Sequence, residues 1–254
     1  MLRNVVHQCT LLGKTPDPTT VITDFEYSCM AAVRQVLGDH VITQGCFYHL
    51  TQSTWRKIRD YDLAEEYKQS DDFRQYCGML DGLAFLPIAD VHLGMAFIKS
   101  VMPPKAARLV TYFDETYVTG VEREVTKPSG EVIIRRSSPR FPPETWNVHE
   151  ATISGGDRTN NICEGWNNRY QRMVGHKHPT IWTSIETIQA DAAEMETMIV
   201  QHAVGRLEQK KQTRDVKSTQ KRVQQLCHDY KDGKRTLQDF LKAIGYTIRF
   251  SLTE

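Results

Sequence analysis

Two carboxylates and one thiol-imidazole pair stand at positions where their types and spacing could support chemistry. Asp24 follows the short β-branched run Val21-Ile-Thr and precedes a helical pattern, so it falls at the carboxyl end of a buried strand. In open α/β sheets, ligands and catalytic groups gather at that end. An aspartate just before a helix also suits an N-cap, where its carboxylate accepts backbone N–H groups. Glu164 stands three residues after Asn161, as in a capping box. It lies off the apolar stripe of Ile162, Trp166 and Tyr170, so periodicity alone turns it to solvent. Cys46 and His49 have the spacing of half a zinc site, which His176 and His178 would have to complete. Packing beside a site is favoured over zinc for that pair.

The elements that must position these residues read as α/β leaning strongly to α. Val21-Ile-Thr and Val41-Ile-Thr are short strands, each followed by a helix, which suggests parallel pairing. The first helix shows Phe25, Cys29, Val33 and Val36 on one face, the second Phe47, Leu50, Thr54 and Ile58. Residues 1 to 20 have weak periodicity and prolines at 16 and 18, and read as a lead-in. From about 61 to 117 the pattern is helical, with Phe73, Cys77, Leu80 and Ala84 forming one apolar set and Leu109, Phe113 and Tyr117 another. Pro128-Ser-Gly and Glu131-Val-Ile-Ile-Arg135 indicate a loop or hairpin excursion. Ile181, Ile185, Ile188, Ala192, Met195 and Ile199 form a long stripe after Pro179, and a last short helix is expected to stop at Gly245. Trp55, Trp146, Trp166 and Trp182 sit at helical spacings that favour core packing over base stacking.

Composition excludes several classes. The 32 basic residues nearly cancel 31 acidic ones, so no global field draws nucleic acid and any such contact must be local. The segment from Arg206 to Arg222 is the one basic stretch. It reads as a solvated surface before it reads as a phosphate-binding tail, and charge reversal at Lys210, Lys211 and Arg214 is the natural probe of it. The six cysteines lack paired spacing and read as reduced thiols. No apolar run approaches the roughly 20 residues needed to cross a bilayer.

Four motifs occur in order: Thr23-Asp-Phe-Glu26; Gly45-Cys-Phe-Tyr-His49 with Gln52 and Arg56-Lys-Ile58; Arg158-Thr-Asn-Asn161 with Glu164-Gly-Trp166; and His178-Pro-Thr-Ile-Trp182. Together they resemble the signatures of Mutator-like element (MULE) transposases over roughly residues 15 to 200. The resemblance implies a partial RNase-H-like fold with a largely helical insertion domain. It divides the chain into 1–60 as partial core and 61–150 as helical insertion with the hairpin excursion. Residues 151–204 become the core's glutamate-bearing helix and the helix after it, and 205–254 a basic linker and C-terminal helix. It makes Asp24 and Glu164 the catalytic, metal-holding carboxylates of an Asp-Asp-Glu set. Cys46, His49, Asn160, Asn161 and Trp166 lie in or beside its motifs.

In such a family, two Mg²⁺ or Mn²⁺ ions roughly 4 Å apart activate a water or 3′-hydroxyl and stabilise the leaving oxygen of a phosphodiester. The implied partners are DNA at transposon ends and a homo-oligomer, with no membrane, and the implied location is the nucleus. The chain departs from the pattern in one important respect. Only about twenty residues precede Val21, too few for the three strands that would carry the first aspartate at typical strand lengths. The expectation is therefore an N-terminally truncated, inactive catalytic domain that binds metal weakly or not at all. The alternative is a domesticated, non-catalytic DNA- or protein-binding module.

Overall fold

The computed structural model describes residues 1–205 and 214–251. They form mostly helices with two small two-stranded sheets, an α/β chain leaning to α as the patterning indicates. The chain falls into two compact units: Met1–Thr159 with Ser218–Glu254, and Asn160–Lys217.

The first unit opens on helix α1 (Leu2–Leu11), where the sequence suggests only a lead-in. It buries none of its residues, which is why its apolar pattern is weak. Strand β1 (Thr20–Thr23) then runs into α2 (Tyr27–Leu37), and β2 (Ile42–Gly45) into α3 (Phe47–Asp60). The strands pair in parallel, Thr20 opposite Ile42 through Thr23 opposite Gly45. The ladder continues past the strand ends, where Cys46 N–H donates to Thr23 O at 2.8 Å. Helix α2 turns Met30 and Val33 inward and leaves Cys29 exposed, so its buried face is rotated from the expected one. Helix α3 buries Phe47, Leu50, Thr54 and Ile58 as its 3.6-residue period requires.

Short α4 (Ala64–Gln69) leads to α5 (Asp71–Gly82), α6 (Val91–Ser100) and α7 (Ala107–Phe113). Phe73, Cys77, Leu80 and Ala84, and Leu109, Phe113 and Tyr117, are all buried in one apolar cluster. Strands β3 (Val121–Thr126) and β4 (Val132–Ser137) make the antiparallel hairpin read as an excursion. Two short helices, α8 (Pro143–Trp146) and α9 (His149–Ile153), then return to the core, where Trp146 is fully buried.

The second unit holds helix α10 (Asn161–Val174) and helix α11 (Ile181–Ala203). They are joined across their facing sides by polar bonds. Trp166 Nε1 donates to Asp191 Oδ2 at 2.8 Å, and Arg169 reaches Asp191 at 2.9 Å and Glu194 at 2.7 Å. The apolar residues of α11 point elsewhere. Ile181 and Ile199 are each 68% exposed and Trp182 72%, so core packing holds for Trp146 and partly for Trp55 but not for Trp166 or Trp182.

Helix α12 (Arg214–Lys231) follows the undescribed stretch that contains Lys210 and Lys211. Helix α13 (Leu237–Ser251) passes through Gly245 instead of stopping there. The glycine is a crossing point: a Cβ on it would lie 2.8 Å from Met79 N and 2.9 Å from Gln75 O. Likewise, a Cβ on Gly78 would land on the Gly245 carbonyl oxygen. One turn beyond Gly245, Arg249 meets Asp81, both fully or nearly fully buried, and Thr54 Oγ1 donates to the same carboxylate at 2.7 Å. Burial pushes the Asp81 carboxyl up from its ordinary range, with Arg249 and Thr54 opposing.

Two stability outcomes follow. In an open helix, replacing glycine by alanine gains about 1 kcal/mol, but overpacking a tight contact costs typically about 1–3 kcal/mol. Gly78→Ala is therefore expected to lower the urea midpoint; an unchanged or raised midpoint would show that α5 and α13 do not touch. Arg249→Met leaves a buried carboxylate uncompensated and should cost about 3–5 kcal/mol. Adding Asp81→Leu should restore most of that loss in the same denaturation measurement.

Candidate functional site

The parallel pair brings together residues that lie far apart in sequence. Asp24 directly follows β1 and His49 sits in the first turn of α3, directly after β2. His49 Nδ1 lies 3.1 Å from Asp24 Oδ1. Asp24 is half exposed and His49 mostly covered, so the pair closes one end of a cleft without being sealed from water. Asp24 stands two residues ahead of the N-cap position of α2, which Glu26 occupies.

Aromatic packing fixes the backbone beside Asp24. The ring of Phe25 meets Phe141 edge-on at 5.1 Å and Tyr117 at 5.8 Å. Gly45 permits this, because a Cβ there would lie 2.7 Å from the Phe25 ring. On the other strand, Cys46 is completely buried and Phe47 N–H donates to Arg158 O at 3.0 Å. Thus Cys46 and His49 do different work: the thiol packs inward and the imidazole faces the carboxylate.

Helix phase then builds the cleft wall. His49, Ser53 and Arg56 follow at four- and three-residue steps on α3, away from its buried face. Opposite them, a π-helical turn at Asp114–Val118 widens the spacing after α7. It is held by Lys99 Nζ to Asp114 Oδ2 at 2.6 Å and Thr119 Oγ1 to Asp114 Oδ1 at 2.7 Å. The wider turn sets Tyr112 and Tyr117 side by side, each phenol 2.9 Å from Ser53 Oγ. Burial pushes the Tyr117 phenol well up from its ordinary value. The cleft has a volume of about 660 Å³, and Glu26, Glu115, Arg56 and Arg140 line it with Asp24 and His49.

The cleft therefore offers carboxylates of both motif and non-motif origin, balanced by two guanidinium groups. Ser53, Tyr112, Tyr117 and Arg140 escape sequence reasoning. Only Ser53 has a signal, its helical step from His49; the tyrosines need the π turn to converge.

Glu164, Asn160, Asn161 and Trp166 lie in the second unit. Asn160 is the N-cap residue of α10 and Asn161 its first residue, so the capping-box alignment is shifted by one. Glu164 is partly buried in the first helical turn, while Trp166 is 42% exposed. The position of Glu164 suits the positive end of the helix dipole.

A Mg²⁺ pair wants several oxygen ligands converging from protein carboxylates. Asp24 instead spends one oxygen on an imidazole, and no group of three or more His, Cys, Asp or Glu side chains converges among the described residues. Of the two carboxylates to which the resemblance assigns the metal, Asp24 belongs to the first unit and Glu164 to the second. Cys46 and His49 acquire no further ligands for zinc within the described residues. No described helix is long and apolar enough to cross a membrane.

No protein-family model, no curated protein and no solved structure matches this chain.

Thiol reactivity tests the packing of Cys46. All six cysteines are free; Cys46, Cys77 and Cys227 are buried, and burial pushes the last two up to about 12. Since the thiolate is the nucleophile, a thiol reagent should label Cys163, Cys29 and Cys9 in the native protein and the buried three only in denaturant. Cys163 should react ahead of Cys29, whose thiol is raised by its hydrogen bond to Glu26. Labelling of Cys46 that appears on adding a chelator would mark a metal thiolate and refute the packing role.

Proposed function

We propose that the chain is a transposase-derived protein of the Mutator-like family, whose ancestral chemistry is metal-dependent DNA strand cleavage and transfer. In this reading the 254 residues retain DNA binding and do not cut. The observation that carries it is the 3.1 Å contact between Asp24 and His49 at the carboxyl ends of two parallel strands. Two of the four resembling motifs, 25 positions apart, thereby meet at the place where α/β sheets keep their active groups. A partial RNase-H-like core is the fold reading that accompanies it.

Binding without cutting is supported by what surrounds Asp24. Phosphodiester cleavage by paired metals needs carboxylate oxygens free to converge on the ions. Here the His49 imidazole lies 3.1 Å from Asp24 Oδ1, where it competes with a cation for that oxygen. What the cleft can do with its own groups is hold: Arg56 and Arg140 offer guanidinium donors suited to phosphate oxygens. The partner is DNA, the reading for location is the nucleus, and Mg²⁺ or Mn²⁺ belongs to the ancestral reaction.

The test combines two measurements on the purified chain. A supercoiled plasmid incubated with Mg²⁺ or Mn²⁺ should remain un-nicked. Duplex DNA should bind at low salt and be released along a linear log–log salt dependence. Nicking that disappears in Asp24→Asn and Glu164→Gln would overturn the non-cutting role, and absence of duplex binding at low salt would sink the DNA reading.

A further inference from the structure

A second cleft of about 640 Å³ lies between α12 and α13 and is lined on the α5 side by Gln75. Its lining carries Arg222, Lys234, Arg235 and Lys242 against Asp229 and Asp239, in a chain whose overall charge is nearly balanced. The acids are already engaged. Asp229 is met by Arg235 Nε at 3.6 Å and by Gln225 Nε2 at 2.8 Å, and Asp239 accepts from Thr236 Oγ1 at 2.7 Å. Lys234 is spent on Asp232 at 2.7 Å. Arg222 and Lys242 are exposed cations with no ion pair among the described residues.

An aromatic surface stands beside these cations. Tyr246, one turn beyond Lys242 on α13, lines the cleft and is 46% exposed. Its ring stacks on Phe250 at 4.5 Å and 17°, so one face is covered and its orientation held. The guanidinium carbon of Arg74 lies 4.8 Å from the centroid of the Phe250 ring. Gln75 Nε2 donates to Lys242 O at 3.0 Å, fixing the backbone between cation and ring.

We infer that this cleft binds single-stranded nucleic acid, with Arg222 and Lys242 on phosphate oxygens and Tyr246 beneath a base. Unpaired cations supply the contacts to the backbone, and an oriented aromatic ring supplies a platform that accepts any base. A phospholipid headgroup or a phosphoserine peptide would use the cations but would bring no flat ring for Tyr246. A duplex keeps its bases stacked on one another and out of reach of Tyr246. The inference goes beyond the reading of the Asp24 site and does not rest on it.

The test is fluorescence anisotropy of the whole chain with a labelled oligothymidylate of about ten nucleotides, in chelator and without reading cleavage. Tyr246→Ala should weaken binding by about fivefold or more, while Tyr246→Phe keeps it. Arg222→Glu with Lys242→Glu should weaken it further and flatten the salt slope by about 1.4, the value for two phosphates on a single strand. Circular dichroism confirms that each variant is folded; all three substituted positions are exposed. Competition by thymidine monophosphate as effective as by the strand assigns the cleft to a free nucleotide with the same ring-and-phosphate chemistry. No binding of either, or binding indifferent to all three positions, overturns the inference. Because chelator removes metal chemistry and the substitutions lie far in sequence from Asp24, failure here leaves the duplex and nicking results to be judged separately.

Discussion

The close approach of α5 and α13 at Gly78 and Gly245 is the constraint on which the larger unit depends. Two helices can cross with backbones in contact only where neither carries a Cβ. That approach carries Arg249 into the core, where it meets Asp81, and Asp81 in turn accepts from Thr54 on α3. The position of α3 sets the phase of His49, which sits four residues from Ser53 and five from Thr54 on the same helix. A contact between the last helix and the fifth is thus linked through one buried carboxylate to the pair at the strand ends. An isolated buried ion pair is weak evidence of net stability. Its value here is geometric, since one aspartate joins three helices in a single arrangement.

What was legible in the sequence follows the range of the interactions involved. The strands before Asp24 and Cys46 were readable because β-branched runs and the helices after them are local signals. Phe73, Cys77, Leu80 and Ala84 were readable because one helix buries one face. Gly245 was misread as a stop, since a glycine at a terminus and one at a helix crossing look alike until the partner helix is known. Tyr112 and Tyr117 gave no sign of convergence, because a five-residue separation puts residues on different sides of an α-helix and together only in a π turn. Cys46 and His49 showed spacing but not direction; the structure turns one inward and the other onto Asp24.

The α10–α11 hairpin inverts the usual arrangement of an amphipathic pair. Its facing sides are joined by Trp166, Arg169, Asp191 and Glu194, while Ile181, Trp182, Ile188 and Ile199 stand exposed. The Arg169–Glu194 pair is largely exposed, and such pairs contribute little, commonly below about 1 kcal/mol, while Asp191 is buried between the helices. Periodicity predicted these stripes correctly as stripes. It could not say whether they are covered, because period reports which residues share a face and never what lies against it.

The two clefts solve the same electrostatic problem in different ways. With a formal charge of +1 the chain has no long-range field to concentrate a polyanion, and fields from local groups fade over about 8 Å at physiological salt. Recognition of phosphate must then come from cations left uncompensated within a few ångströms of the ligand. At Asp24 the guanidiniums of Arg56 and Arg140 share their cleft with Asp24, Glu26 and Glu115, so a phosphate held there also meets carboxylates. Between α12 and α13 the carboxylates are committed to Arg235, Gln225 and Thr236, and that commitment leaves Arg222 and Lys242 available. The distribution of partners, more than the count of charges, sets how strongly each surface attracts a phosphate backbone.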